Sequence, residues 1–178
     1  MLKIRIVIFF IFVGLFSLAY QIGAMTTPDE EDADAFMLEF EKLVEDIDGI
    51  GIFVHNTSLS LPMFIPGLGV GWGLFSAWST GYAFAVISSI HTQLEQTPPL
   101  TILYLSPFGL MELVAYSMAI SRSYIIIKNI TKKSNLILLI KPTIIEISIV
   151  VGLLFSGGLL EHYLIELAKE TANVSPVL

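Results

Sequence analysis

Three carboxylates, Glu112, Glu146 and Glu161, stand inside or beside long apolar runs of this chain. An ionisable group at membrane depth is costly unless a partner or water meets it, so each marks a functional site or a structural contact. The chemistry they suggest is proton or cation handling, with Glu112, about midway in its run and shortly after Pro107 and Gly109, as the central group. The competing reading is structural. In it, Glu112 bonds to Asn56, Thr57 or Ser58 of the second apolar run and fixes its packing, and Glu146 lies near Lys141 at the interface. We prefer the structural reading, because nothing in the spacing strings the three carboxylates along a continuous path.

Other constellations are weaker. His55, His91 and His162, with Glu95, Glu161 and Glu166 near them in the sequence, show no HxH or HExxH spacing, and no metal is expected. No GxSxG motif frames a serine nucleophile. Cysteine is absent, which removes thiolate catalysis, disulfides and cysteine-ligated metal clusters. Gly67, Gly69, Gly71 and Gly73 have the density of a phosphate loop, but no strand precedes them and no Gly-Lys-Ser/Thr follows. No enzyme activity and no cofactor are therefore expected. Of three glycosylation acceptor patterns, at Asn56, Asn129 and Asn173, only Asn173 falls where it would be accessible outside.

The elements that must position these residues are set by composition. The 178-residue chain is 54% hydrophobic and 14% charged, with a mean hydropathy of +0.79. A helix crossing the hydrocarbon layer needs about 20 mainly apolar residues. The fold expected is all-α, a polytopic helical membrane protein with about five transmembrane helices and one extracytoplasmic amphipathic acidic helix in a single domain. Residues 1–25 form the first run. A cleaved signal peptide and a retained helix both fit it, and its length favours retention, since signal-peptide cores run about 7–15 residues. Residues 49–65 are polar and interrupted for a spanning segment, while 69–90, 100–121 and 142–160 are cleaner; 122–141 is a basic connection and 161–178 a tail.

Charge sets the orientation. Of the sixteen acidic residues ten lie between Asp29 and Asp48, so the net charge of −7 is local and leaves no basic stripe for nucleic acid. Thr27, Pro28 and Glu30 have capping-box spacing, and Phe36, Phe40, Leu43, Val44 and Ile47 recur at helical intervals among carboxylates, which predicts an acidic amphipathic helix starting there. Anionic headgroups repel such a face, so it packs on its own membrane domain or on a partner. Five crossings with a cytoplasmic N-terminus place Lys3, Arg5 and residues 122–141 inside, and the acidic helix and C-terminus outside, as the positive-inside rule asks. A four-crossing scheme would expose residues 122–141 on the outer face.

Gly69, Gly73, Ala77, Gly81 and Ala85 stand at strict intervals of four. Such a seam of small residues lets another helix approach closely in lipid. It serves either a dimer or subunit interface or, as preferred here, packing against the chain's own second or fourth helix.

The order of segments and a few local motifs resemble the stage II sporulation protein M family. The resemblance runs through the first helix, the acidic outer helix, the polar start of the second helix at His55-Asn56, the glycine-rich third helix, Pro107-Phe108-Gly109 with Glu112, and the end of the fifth at Leu160-Glu161. Family members commonly have histidine where this chain has Phe108. The resemblance implies a scaffold-like role without hydrolytic residues, assembling a partner in envelope remodelling, with Asn56, Pro107, Gly109, Glu112 and Glu161 as the matching positions. The expected function is accordingly a non-catalytic membrane subunit, whose partners are membrane lipids and either other membrane subunits or further copies of itself. The alternatives are a small transporter or ion-conducting protein using Glu112, and an accessory subunit of a large membrane enzyme complex.

Overall fold

In a bilayer every backbone N–H and C=O must find its partner within the protein, and a helix satisfies them locally. The computed structural model describes residues 2–44, 47–90 and 96–174. These form α1 (Leu2–Ala24), α2 (Glu30–Val44), α3 (Gly49–Ser60), a 3-10 turn at Leu61–Phe64, α4 (Leu68–Ile90), α5 (Pro99–Leu105), α6 (Pro107–Thr131) and α7 (Ile137–Val174), with no strand among the described residues. Among the described residues three stretches are long and apolar enough to cross a membrane: Lys3–Ala24, Pro107–Thr131 and Ile137–Thr171. Helix α4 equals α1 in length, 23 residues each, but its glycines, serines and threonine dilute its hydropathy. Helix α3 has only 12 residues.

The element boundaries differ from expectation where local chemistry intervenes. Helix α2 begins at Glu30 rather than Pro28, because the Asp29 carbonyl accepts the first helical bond from the Ala33 N–H at 2.8 Å. The fourth apolar run is not one helix. Proline lacks a donor and drives the preceding residue out of helical geometry. Ser106 accordingly sits extended between α5 and α6, and its hydroxyl caps α6 by accepting from the Gly109 N–H at 3.0 Å. Residues 122–141 are mostly helical, since α6 runs on to Thr131 and α7 starts at Ile137. The connection narrows to residues 132–136. The tail is likewise helical as far as Val174.

Helix α6 is the centre of the bundle and touches α1, α3, α4, α5 and α7. Its Leu113, Ala115, Tyr116, Ala119 and Ile120 are buried with Phe12, Phe16 and Tyr20 of α1, Met63 and Phe64 of the 3-10 turn, Ala77 of α4, and Val150 and Leu154 of α7. Contacts at both ends give the directions. Arg5 of α1 meets Ser121 of α6, whereas Ser17 and Tyr20 meet Tyr104 and Pro99 at the start of the α5–α6 segment, so these run antiparallel. Arg122 and Glu146 at one end, and Met111 and Gly157 at the other, make α6 and α7 antiparallel. Phe53 on Phe155 and Gly49 beside Leu159 do the same for α3 and α7.

Candidate functional site

Two polar clusters lie one above the other inside the bundle, both anchored on α6. Ten residues of α6 separate Glu112 from Arg122, about 15 Å along a helix.

The cluster nearer the chain's basic end joins three helices. Arg5 of α1 donates from Nε to Glu146 Oε1 at 2.8 Å and from Nη2 to Oε2 at 2.9 Å. Its Nη1 donates to Ser121 Oγ at 2.8 Å, and Nη2 also reaches the Met118 carbonyl at 3.3 Å. Arg122 of α6 donates from Nε to Glu146 Oε2 at 2.7 Å and from Nη2 to Oε1. Arg122 is 4% exposed, and the side chains of Arg5 and Glu146 are 17% and 13% exposed. Two planar guanidiniums therefore clamp a single carboxylate, each in two-point geometry, and the cluster keeps one positive charge in excess. Glu146 pairs with Arg5 and Arg122 rather than with Lys141. Neither arginine stands out as a site residue in the sequence, where both read only as flanking charges. The available signal was their setting: Arg5 lies between Ile4 and Ile6, and Arg122 between the apolar stretches 118–120 and 124–127. A cation so placed requires an acid brought from elsewhere.

The second cluster is uncharged on one side. Asn56 Nδ2 of α3 donates to Glu112 Oε1 at 2.7 Å. Of the three partners considered for Glu112, Asn56 is the one that bonds it; Ser58 donates instead to the Val54 carbonyl. Glu161 of α7 is near enough for its charge to act on both Glu112 and Tyr116. The helices approach closely here: a Cβ on Gly158 would stand 2.9 Å from both the Gly49 carbonyl oxygen and the Phe53 nitrogen. Between the clusters, the buried hydroxyls of Thr57 and Ser117 have no hydrogen-bond partner among the described residues.

The small-residue seam faces inward. A Cβ on Gly69 would strike the Met63 carbonyl, one on Gly73 the Ile120 side chain, and one on Gly81 the Tyr20 carbonyl of α1. Ala77 and Ala85 are only 0% and 7% exposed. Gly23 of α1 answers from the other side, its Cβ position overlapping the Trp78 carbonyl. The seam thus packs against α1, the 3-10 turn and α6 of the same chain, so α1 joins the second and fourth helices expected there.

Pro107 and Gly109 build the α6 cap, where a Cβ on Gly109 would press against Ser106 Oγ and the Ile102 carbonyl. His55 is exposed and His162 half-buried, while His91 and Glu95 lie outside the described residues. Among the described residues no group of three potential ligands is placed to hold a metal ion. Asn56 is only 8% exposed and engaged by Glu112, which removes it as a glycosylation acceptor. Asn129 bonds back to the Ile125 carbonyl, and the third pattern ends at Ser175, outside the described residues.

Comparison with curated proteins and with solved structures returns no match. The family model described as stage II sporulation protein M matches residues 5–164. That match spans both polar clusters, from Arg5 to Glu161, and covers most of the chain, which is a membrane protein belonging to the stage II sporulation protein M family.

Proposed function

We propose that this chain is a non-catalytic membrane subunit that assembles with a partner membrane protein, in envelope remodelling. It crosses the bilayer five times, with the N-terminus cytoplasmic and the C-terminus outside. The observation that carries the reading is that two of the three carboxylates within the bundle bind one helix to another: Glu146 holds Arg5 and Arg122, and Glu112 holds Asn56. Such clusters fix one helix against another and suit a structural frame better than an acid–base site. The alternation of helix direction supports the crossing number, and the charge distribution supports the orientation. Seven of the nine basic residues sit at the end of α1, α6 and α7 that holds Glu146, while the acidic residues of α2 sit at the other.

Helix α2 is the element offered to the partner. Ala33 is buried and Phe36 packs edge-on to Tyr82 of α4, with ring centroids 5.9 Å apart, so one face is docked. Glu31 and Asp34 remain exposed beside it. The test is purification from native membranes in a mild detergent with mass spectrometry of what comes along. The wild type brings down a second protein and the Glu31→Gln/Asp34→Asn variant releases it; a lone monomer in both forms refutes the assembly role. An accessory place in a larger membrane enzyme complex would give the same first result and is told apart by the identity of the captured protein.

A second reading, conduction of protons or ions through Glu112, draws on the unpartnered Thr57 and Ser117 hydroxyls, which lie between the clusters where internal water would satisfy them. The surplus positive charge of the Arg5–Arg122–Glu146 cluster opposes cation passage at that end. Flux in reconstituted vesicles that disappears in Glu112→Gln would favour conduction; no flux in the parent eliminates it.

A further inference from the structure

A groove of about 510 Å³ runs between α1 and α6 on the outside of the bundle. One wall is the stripe Ile4, Val7, Ile11 and Leu15 of α1, which are 62%, 58%, 53% and 39% exposed. Tyr124 of α6 closes the other side, its ring 5.6 Å from that of Phe12 in the floor. Lys3 and Lys128 stand at the mouth. Both are exposed, and neither forms an ion pair among the described residues.

We infer that this groove is a binding site for an anionic glycerophospholipid of the leaflet facing the basic end of the bundle, with its phosphate between Lys3 and Lys128 and one acyl chain along α1. Length supports this occupant. From Lys3 to Leu15 is twelve residues, about 18 Å of helix, close to one leaflet, which is half of a hydrocarbon core about 30 Å thick. Charge supports it too. Glu146, the single carboxylate at this end among the described residues, is consumed by Arg5 and Arg122, so the two lysines find no acid there among the described residues. An ammonium at a bilayer surface attracts anionic headgroups, and the apolar stripe excludes a wholly polar anion. A neutral lipid fits the stripe but leaves the lysines unmatched. The inference needs the chain to be membrane-embedded and is independent of its protein partner.

Native mass spectrometry of detergent-purified protein, titrated with phosphatidylglycerol or phosphatidylcholine of identical chains, tests it. The wild type retains phosphatidylglycerol preferentially. Lys3→Gln/Lys128→Gln weakens that retention by about twenty-five-fold, about fivefold for each charge, and leaves phosphatidylcholine unchanged. Val7→Trp, which fills the groove and keeps both lysines, also lowers phosphatidylglycerol retention. Lys132→Gln/Lys133→Gln, equal in charge removed, retains it as the wild type does. Equal retention of the two lipids by the wild type overturns the site, as does an equal loss in both double-lysine variants, which would show diffuse surface attraction. Persistence of a tightly held anionic lipid in Lys3→Gln/Lys128→Gln overturns it as well.

Discussion

Arg5 and Glu146 are 141 residues apart in the chain and 2.8 Å apart in the bundle. Their contact ties the first helix to the last, with Arg122 of α6 completing the clamp. Helix α1 is therefore a structural member of the fold, burying Phe12, Phe16 and Tyr20 as well as anchoring its charged end.

Removing the shared carboxylate leaves two guanidiniums buried against each other. Breaking a buried pair in this way costs about 3–5 kcal/mol. Glu146→Gln should lower the yield and melting temperature of detergent-purified protein sharply. Arg5→Gln should cost less, since Arg122 still neutralises Glu146. Thermal melting of both variants checks the order, and equal melting would show that the clamp contributes nothing specific.

The glycines divide into two groups. Gly81→Leu and Gly23→Val drive side chains into the Tyr20 and Trp78 carbonyls and should part α1 from α4. Gly71→Ala and Gly152→Ala meet nothing within 4 Å and should change stability by less than about 1 kcal/mol. Because the seam packs within the chain, Gly73→Leu should unfold the protein rather than dissociate an oligomer. Size-exclusion chromatography after heating separates the two results.

Glu112→Gln keeps an oxygen for Asn56 Nδ2 and should leave the fold intact, whereas Glu112→Leu orphans the buried amide at a cost of about 1–3 kcal/mol. Melting temperatures of the two variants decide whether this residue is held for its hydrogen bond. If both melt alike, the Asn56 contact is not the reason for its place.

The chain has no cysteine, so each introduced one reports alone. Thr26→Cys, just beyond α1, should react with an impermeant maleimide from outside the cell, and Lys133→Cys, between α6 and α7, only after permeabilisation. The reverse pattern would invert the proposed orientation.

Much of this arrangement was legible in single segments. The apolar runs marked α1, α4, α6 and α7, because backbone satisfaction in lipid depends on local sequence. The interval of four from Gly69 to Ala85 announced a close-packed face. The break before Pro107 was not read, since Ser106 belongs to an apolar run, 100–121, whose composition alone looks continuous. The Asn56–Glu112 bond was one of three pairings the sequence allowed, and only the crossing of α3 and α6 selects it.

By itself, then, the sequence determined what kind of solvent this chain lives in, which stretches are apolar enough to be buried in it and where its charges collect, since hydropathy and charge placement are local properties. Tertiary structure alone decided which buried ions meet. Side chains on helices far apart in the chain share one site only after packing has set the direction and register of each helix, and no local interval records that Arg5, Arg122 and Glu146 would converge.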